Sequence, residues 1–167
     1  MTIAPVESEA DFEAARSIRR AVFIEEQGCP PEEEWDGHDA TARHVIARTD
    51  DGAAVGTARW RTVPHDEVLV AKLERFAVRT SHRGQGIGEA LVRYTICEAV
   101  QAGFTTQKIH AQDHLETYYA RFGFASTEKR FTEAGIPHVE MIRRANASSP
   151  SSGRPTSLAT GGIESAE

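Results

Sequence analysis

Residues 83–88 read Arg-Gly-Gln-Gly-Ile-Gly and fall where an apolar run, Val68 to Val78, gives way to a helical pattern reaching about Gly103. Glycines let a backbone come close to a ligand, and the first N–H groups of a helix have no partner within it, so such a turn suits an anion such as a pyrophosphate. Arg83 adds a fixed charge and a planar fork for phosphate oxygens. What the run lacks narrows the choice. A Walker loop needs Lys-Ser/Thr after its last glycine, but Glu89 and Ala90 stand there, which disfavours a nucleoside triphosphatase. A dinucleotide fingerprint needs Gly-x-Gly-x-x-Gly, and Glu89 occupies the third glycine's place, which disfavours a Rossmann site. Taken alone, three glycines after a strand are as often a plain tight turn.

The surrounding residues add context. Arg-x-x-Gly-x-Gly after a strand ending Arg75-Phe76-Ala77-Val78, with Tyr118-Tyr119-Ala120-Arg121-Phe122-Gly123-Phe124 downstream, resembles the GNAT superfamily of acetyl-CoA-dependent N-acetyltransferases. Arg19, Ala21-Val22-Phe23, Glu26-Gln27, Cys29-Pro30, Asp36-Gly37, Asp39, His44 and, near the end, Gly135-Ile136-Pro137-His138 with Met141 resemble its ElaA-like branch. The similarity runs from Met1 to Arg144. It implies acetyl-CoA as cofactor and an amine, small-molecule or peptide, as acceptor.

Acetyl transfer from a thioester to an amine needs a held cofactor, a polarised carbonyl, a neutral amine and a stabilised thiolate. By resemblance, main-chain groups of Phe76, Ala77 and Val78 bind the pantetheine arm, with the Phe76 N–H toward the thioester oxygen. Arg83, Gly84, Gln85, Gly86, Ile87 and Gly88 take the pyrophosphate. Tyr119 matches the general acid. A phenol near pKa 10 facing a thiol near about 8.5 makes full proton transfer uphill by roughly 2 kcal/mol, so a hydrogen bond to the leaving sulfur is as plausible as donation. Tyr118 is more plausibly a packing residue, though the two tyrosines could exchange roles. Glu74 is the first candidate for the base, because period-two alternation puts Lys72, Glu74 and Phe76 on one side of the strand. An unperturbed carboxylate near about 4.3 is a weak base for an alkyl ammonium, and an ion pair with Lys72 or Arg75 is nearly as plausible a role. His138, His110 and His114 are alternatives. Glu26, Gln27, Asp36, Asp39, His44 and Arg59, with His110 and Gln112, are placed at the acceptor pocket. Glu32 to Glu34 read as a solvated run.

These side chains need a scaffold. Ser8 with Asp11 signals a helix start, and Phe12, Ala15, Ile18 and Val22 continue an apolar face to about Glu25. Gln27 to Ala40 reads as a loop with one short helical turn. Strands at His44 to Thr49, Ala54 to Val63 and Val68 to Val78 form an antiparallel meander. A helix from the glycine turn, a strand near Lys108 to Ala111, a helix from about Leu115 to Phe122 and strands around Phe124 to Phe131 and His138 to Arg143 follow. The expectation is a single α+β domain over residues 1–144, with a mixed, mostly antiparallel sheet flanked by helices. From Ala145 the Ser/Pro/Gly/Ala/Thr composition cannot bury enough surface to offset chain entropy, so residues 145–167 are expected to be a disordered tail.

The chain's 167 residues, 40% hydrophobic, fit one ordinary core. A net charge of −6 argues against nucleic acid as partner and favours a cationic amine. With neither a basic apolar leader nor a spanning run, the expected place is the cytoplasm, without membrane contact. Cys97 reads as a small core residue and Cys29 as a buried structural thiol. No Cys/His spacing suits a metal. A homodimer is compatible with all of this. Two other readings stay open: an acyl-CoA-binding sensor without turnover, and acyl transfer of the acyl-homoserine-lactone-synthase type.

Overall fold

The computed structural model describes residues 1–145; apart from Ala145, the expected tail lies outside the described residues. Strands β1 (Thr2–Pro5), β2 (Arg43–Arg48), β3 (Ala54–His65), β4 (Val68–Val78), β5 (Thr106–Gln112), β6 (Ala125–Glu133) and β7 (Ile136–Arg144) form one sheet in the order β1-β2-β3-β4-β5-β7-β6. Every ladder is antiparallel except β4 with β5. That is the mixed, mostly antiparallel sheet expected. The β2–β3–β4 meander lies within one or two residues of its predicted limits.

Helix α1 (Glu9–Arg19) starts at Ser8, whose Oγ accepts from the Asp11 N–H at 3.1 Å, as an N-cap should. The helix does not stay α-helical to Glu25. Arg20–Glu26 widen into a π-turn, with the Gln27 N–H bonded to the Val22 carbonyl five residues back. Nothing in the apolar period marks that change. α2 (Pro31–Glu34) is the short turn expected in the loop. α3 (Ile87–Gln101) and α4 (Glu116–Ala120) follow the glycine turn and β5.

The core divides between the two faces of the sheet. Leu73, Ala71, Trp60 and Ile109 pack with Val92, Ile96, Phe122 and Phe124 under α3 and α4, while Ala77 packs with Ile18 and Val22 under α1. Gly56 in β3 lies under the start of α3: a Cβ there would lie 2.9 Å from Leu91 Cδ1 and 3.2 Å from Ile87 Cγ2. A larger residue there would make those two α3 side chains shift.

One irregularity in β4 matters most. Arg59 pairs with Glu74 and Thr57 with Ala77, so β4 carries one residue more than β3 over this stretch, and Arg75 adopts φ +59°. This is a β-bulge, and it reverses the alternation beyond it. Phe76 therefore lies on the α3 side with Leu73, against Tyr119, while Lys72 and Glu74 lie on the other face. The expectation that Lys72, Glu74 and Phe76 share a side is corrected by that extra residue.

Three further corrections follow from burial. Cys97 is exposed on α3, not in the core, because the inward positions of that helix belong to Ile96 and Ala99. Cys29 is only half-buried; burial, reinforced by Glu34 and Glu33, raises its thiol pKa. Glu34 is not solvated: it is 2% exposed, binding Arg19 at 2.7 Å and Arg75 at 3.1 Å.

Candidate active site

β4 and β5 are paired only at Ala71–Gln107 and Lys72–Lys108. Beyond Lys72 the strands part, leaving the β5-facing edge of β4 without a ladder, and a cavity of about 620 Å³ opens there. The glycine turn forms one end of it. Gly84 and Gly86 stand at φ +76° and +78°, where L side chains are strained, and a Cβ on either would meet nothing within 4 Å. The N–H groups of Ile87, Gly88 and Glu89 find no acceptor among the described residues, and no side chain caps the helix. A cradle of free amides, left-handed glycines and open space fits a diphosphate.

Arg83 also lines this end, but its guanidinium is held by Glu26 at 2.5 and 2.8 Å and by the Val78 carbonyl at 3.0 Å. The Arg83 hydrogen bonds pull the Glu26 carboxyl below its ordinary pKa. An incoming phosphate would compete with Glu26 for that fork.

Tyr119 lines the cavity, 8% exposed, with its ring 6.2 Å from Phe76. Burial raises its phenol well above the usual value. Tyr118 lies beside Gly88, its hydroxyl 3.6 Å from where a Cβ there would be, and packs edge-on to Phe122. Both tyrosines line the cavity, and Tyr119 is the more deeply buried of the two.

The far end is polar. Glu74, His110, Gln112, His138 and Gln27 all line it, and Gln112 Nε2 donates to Gln27 Oε1 at 3.4 Å. Glu74 is bound by Arg59 at 2.9 Å and Arg61 at 2.5 Å, with Lys72 at 3.5 Å; Arg75 turns away to Glu34 and Asp36. Burial pushes the Glu74 pKa up, but Lys72, Arg59 and Arg61 outweigh it and hold the carboxyl below its normal range. Such a carboxylate is a poor proton acceptor and a good anchor. His110 is held neutral, its pKa pushed down to about 4 by burial and then by Lys72, and neither ring nitrogen has a protein partner. His138 bonds the Ile136 carbonyl through Nδ1 at 2.7 Å and stacks on Phe131.

Of the remaining candidates, His114 also lines the cavity and the others lie elsewhere. Arg59 is fully buried below the cavity, joined to Asp36 and Asp39 as well as Glu74. His44 is buried against Phe12, with Nε2 bonded to the Asp39 carbonyl at 2.9 Å, and burial lowers its pKa. Neither they nor Gln85 and Glu26 line the cavity. Arg59 and His44 instead fasten the loop after α1 to the sheet. Arg19, Arg59 and Arg75 interlock with Glu34, Asp36 and Asp39, while Arg16 caps Trp35 at 4.4 Å. Sequence reasoning missed Glu133, which lines the cavity with its Oε2 3.8 Å from His138 Nε2. The Ala134-Gly135 turn was the available signal, because it sets the hairpin register that pairs Phe131 with His138.

A family model of the acetyltransferase (GNAT) domain matches residues 12–145. The chain belongs to the GNAT acetyltransferase family. Within it, the uncharacterised N-acetyltransferase YjcF of Bacillus subtilis is 32% identical over 137 residues, 81% of this chain and 94% of its own length. Among solved structures, an acyl-CoA N-acyltransferase from Pseudomonas aeruginosa superposes with a TM-score of 0.75 at 27% identity, covering 86% of this chain and 99% of that one. Escherichia coli ElaA gives 0.73 at 28%, with the same coverage of both chains. The fold is the GNAT acyltransferase fold with ElaA-like relatives. No helix among the described residues is long and apolar enough to cross a membrane.

Proposed function

We propose that this chain transfers the acetyl group of acetyl-CoA to an amine by direct attack of the amine on the thioester, with no covalent enzyme intermediate. The observation that carries the reading is the parting of β4 from β5 after Lys72, which joins the free amides of the glycine turn, the unpaired edge of β4 and the Tyr119 hydroxyl in one cavity. The relatives named N-acetyltransferase and acyl-CoA N-acyltransferase support the same chemistry.

The roles divide along the cavity. Gly84, Gly86, Gly88 and the α3 amides hold the diphosphate, and Arg83 joins them by leaving Glu26. Main-chain groups of Phe76 to Val78 hold the pantetheine arm. When bound, acetyl-CoA supplies the activated acyl group. Tyr119 donates a hydrogen bond to the departing sulfur rather than its proton: full transfer from a phenol to a thiolate is uphill by roughly 2 kcal/mol in water, and burial of Tyr119 widens that gap. Glu74, locked among cations, anchors and orients the polar end. The proton of the acceptor ammonium leaves through His138, whose Nδ1 is bonded to the Ile136 carbonyl and whose Nε2 stands 3.8 Å from Glu133, too far for a hydrogen bond that would occupy it; His110, pushed down to about 4, is as weak a base as a carboxylate.

Thiol release from acetyl-CoA in the presence of an amine panel tests the reading. Amine-dependent release is expected, with equimolar acetylated product by mass spectrometry. Tight coenzyme binding with no release from any acceptor would favour a sensor role instead.

A further inference from the structure

Strand register sets Arg61 of β3 opposite Lys72 of β4, and Lys72 opposite Lys108 of β5. Three cations in one cross-strand row are unfavourable, since like charges directly opposite destabilise a sheet. The neighbours do not balance them. Glu74, Glu140 and the half-exposed Glu133, which faces His138, are the carboxylates on this face; Glu74 is shared with Arg59, while Lys129 approaches Glu140 at 3.9 Å as a further, exposed cation. The cluster under the loop consumes its own charges, three arginines against Glu34, Asp36 and Asp39. Arg61, Lys72, Lys108 and Lys129 thus stand against three carboxylates, one of them shared with Arg59 and one half-exposed, in a chain whose net charge is −6. Nor does solvent dissipate the field: the Lys72 and Lys108 side chains are each 11% exposed. The Lys108 ammonium is drawn below its ordinary pKa by burial, and Lys72, Lys129 and Arg61 add to that against the pull of Glu140. Lys72 opens into the cavity beside His110, whose two ring nitrogens lack protein partners.

We infer that the acceptor is an amine that also carries an oxyanion, a carboxylate or phosphate, seated on Lys72 with Lys108 beside it. This rests on the acetyl-transfer reading and names the class of its acceptor. The anion relieves the repulsion along the row, and its attachment to the amine brings the nucleophile in at the polar end of the cavity. A polyamine would add charge to a face already in cationic excess, so net charge misleads here.

The test compares matched amines, glycine against glycinamide and phosphoethanolamine against ethanolamine, at equal concentrations of neutral amine. At least one charged member is expected to show kcat/KM about tenfold or more above its uncharged partner, the scale of one charge-assisted hydrogen bond. In Lys72→Met, and more weakly in Lys108→Met, that ratio falls toward one; thermal melts identify a variant that does not fold, and the other then decides. Equal use of both members of each pair, or a ratio unmoved in folded variants, overturns the inference. Should no amine be acetylated, calorimetry of the same pairs on coenzyme A-loaded protein separates the two claims. Tighter binding of a charged member, lost in Lys72→Met, keeps the cradle although the transfer reading fails, and binding without a charge preference removes it.

Discussion

Tyr119 combines deep burial with a place on the cavity wall, and its value to catalysis lies in that combination. A hydroxyl whose proton is hard to remove still stabilises a developing thiolate, because a hydrogen bond to a charged acceptor in a water-poor site is worth about 1.5–3 kcal/mol. Tyr119→Phe keeps the ring packing against Phe76 and Phe124, so kcat should fall by roughly 10- to 150-fold while the KM for acetyl-CoA stays within about twofold. An unchanged kcat would mean that the sulfur leaves without help from this residue. Tyr119 could be singled out in the sequence because its motif is short and contiguous. Glu74 shows the limit of the same reasoning. Its position and its Lys72 partner were legible, but Arg59 and Arg61 were not, since they reach it from the neighbouring strand beside a bulge that no residue type announces, and that bulge turns Arg75 away.

At the scale of elements, the glycine turn works through backbone conformation. Gly86 is the N-cap of α3 at φ +78°, ψ 7°, and the space where a Cβ would go is open. A Val there strains the backbone by about 1–3 kcal/mol and sets a branched side chain over the amides. Gly86→Val should therefore raise the apparent KM for acetyl-CoA by about tenfold or more and lower the melting temperature by a few degrees, with the far-ultraviolet spectrum retained. Calorimetry giving wild-type coenzyme affinity would remove the turn from the site. The helices and the meander were readable because each buries one face and so prints a period of about 3.6 or 2 on the chain. β1 was missed: four residues, only Ile3 partly covered, give no period to read. The π-turn of Arg20–Glu26 and the bulge at Arg75 were missed for a different reason. Both shift register by one residue, and long-range packing decides that shift.

Across the whole molecule, the interlocked arginines and carboxylates between the α1 loop and the sheet make folding sensitive to acid. Burial alone would raise the Asp36 pKa, but hydrogen bonds from Arg59 and the His38 amide, with the charges of Arg59 and Arg75, hold it well below the usual range. Asp39 is lowered against its burial by Arg19 and Arg59, and Glu74 by Lys72, Arg59 and Arg61. A carboxyl whose folded pKa lies below its unfolded value contributes stability that is present above the unfolded value, about 4, and is lost as pH falls from there through the folded value. Glu34 has the opposite sign: burial outweighs Arg75 and Arg19, its folded pKa is raised, and its contribution is present at low pH and fades as pH rises through that value. Three lowered carboxyls against one raised one, together with His44 and His110, whose depressed values withdraw stability as pH falls below about 6.5, should give a melting temperature that declines gently from about pH 6.5 and falls steeply below about 4. Asp36→Asn leaves Arg59 and Arg75 undercompensated at neutral pH and removes one acid-labile carboxyl. The variant should melt lower than wild type at pH 7 and show a shallower acid limb, so the two curves converge toward pH 3. Parallel curves would place the acid sensitivity outside this cluster and deprive the loop of its proposed fastening to the sheet.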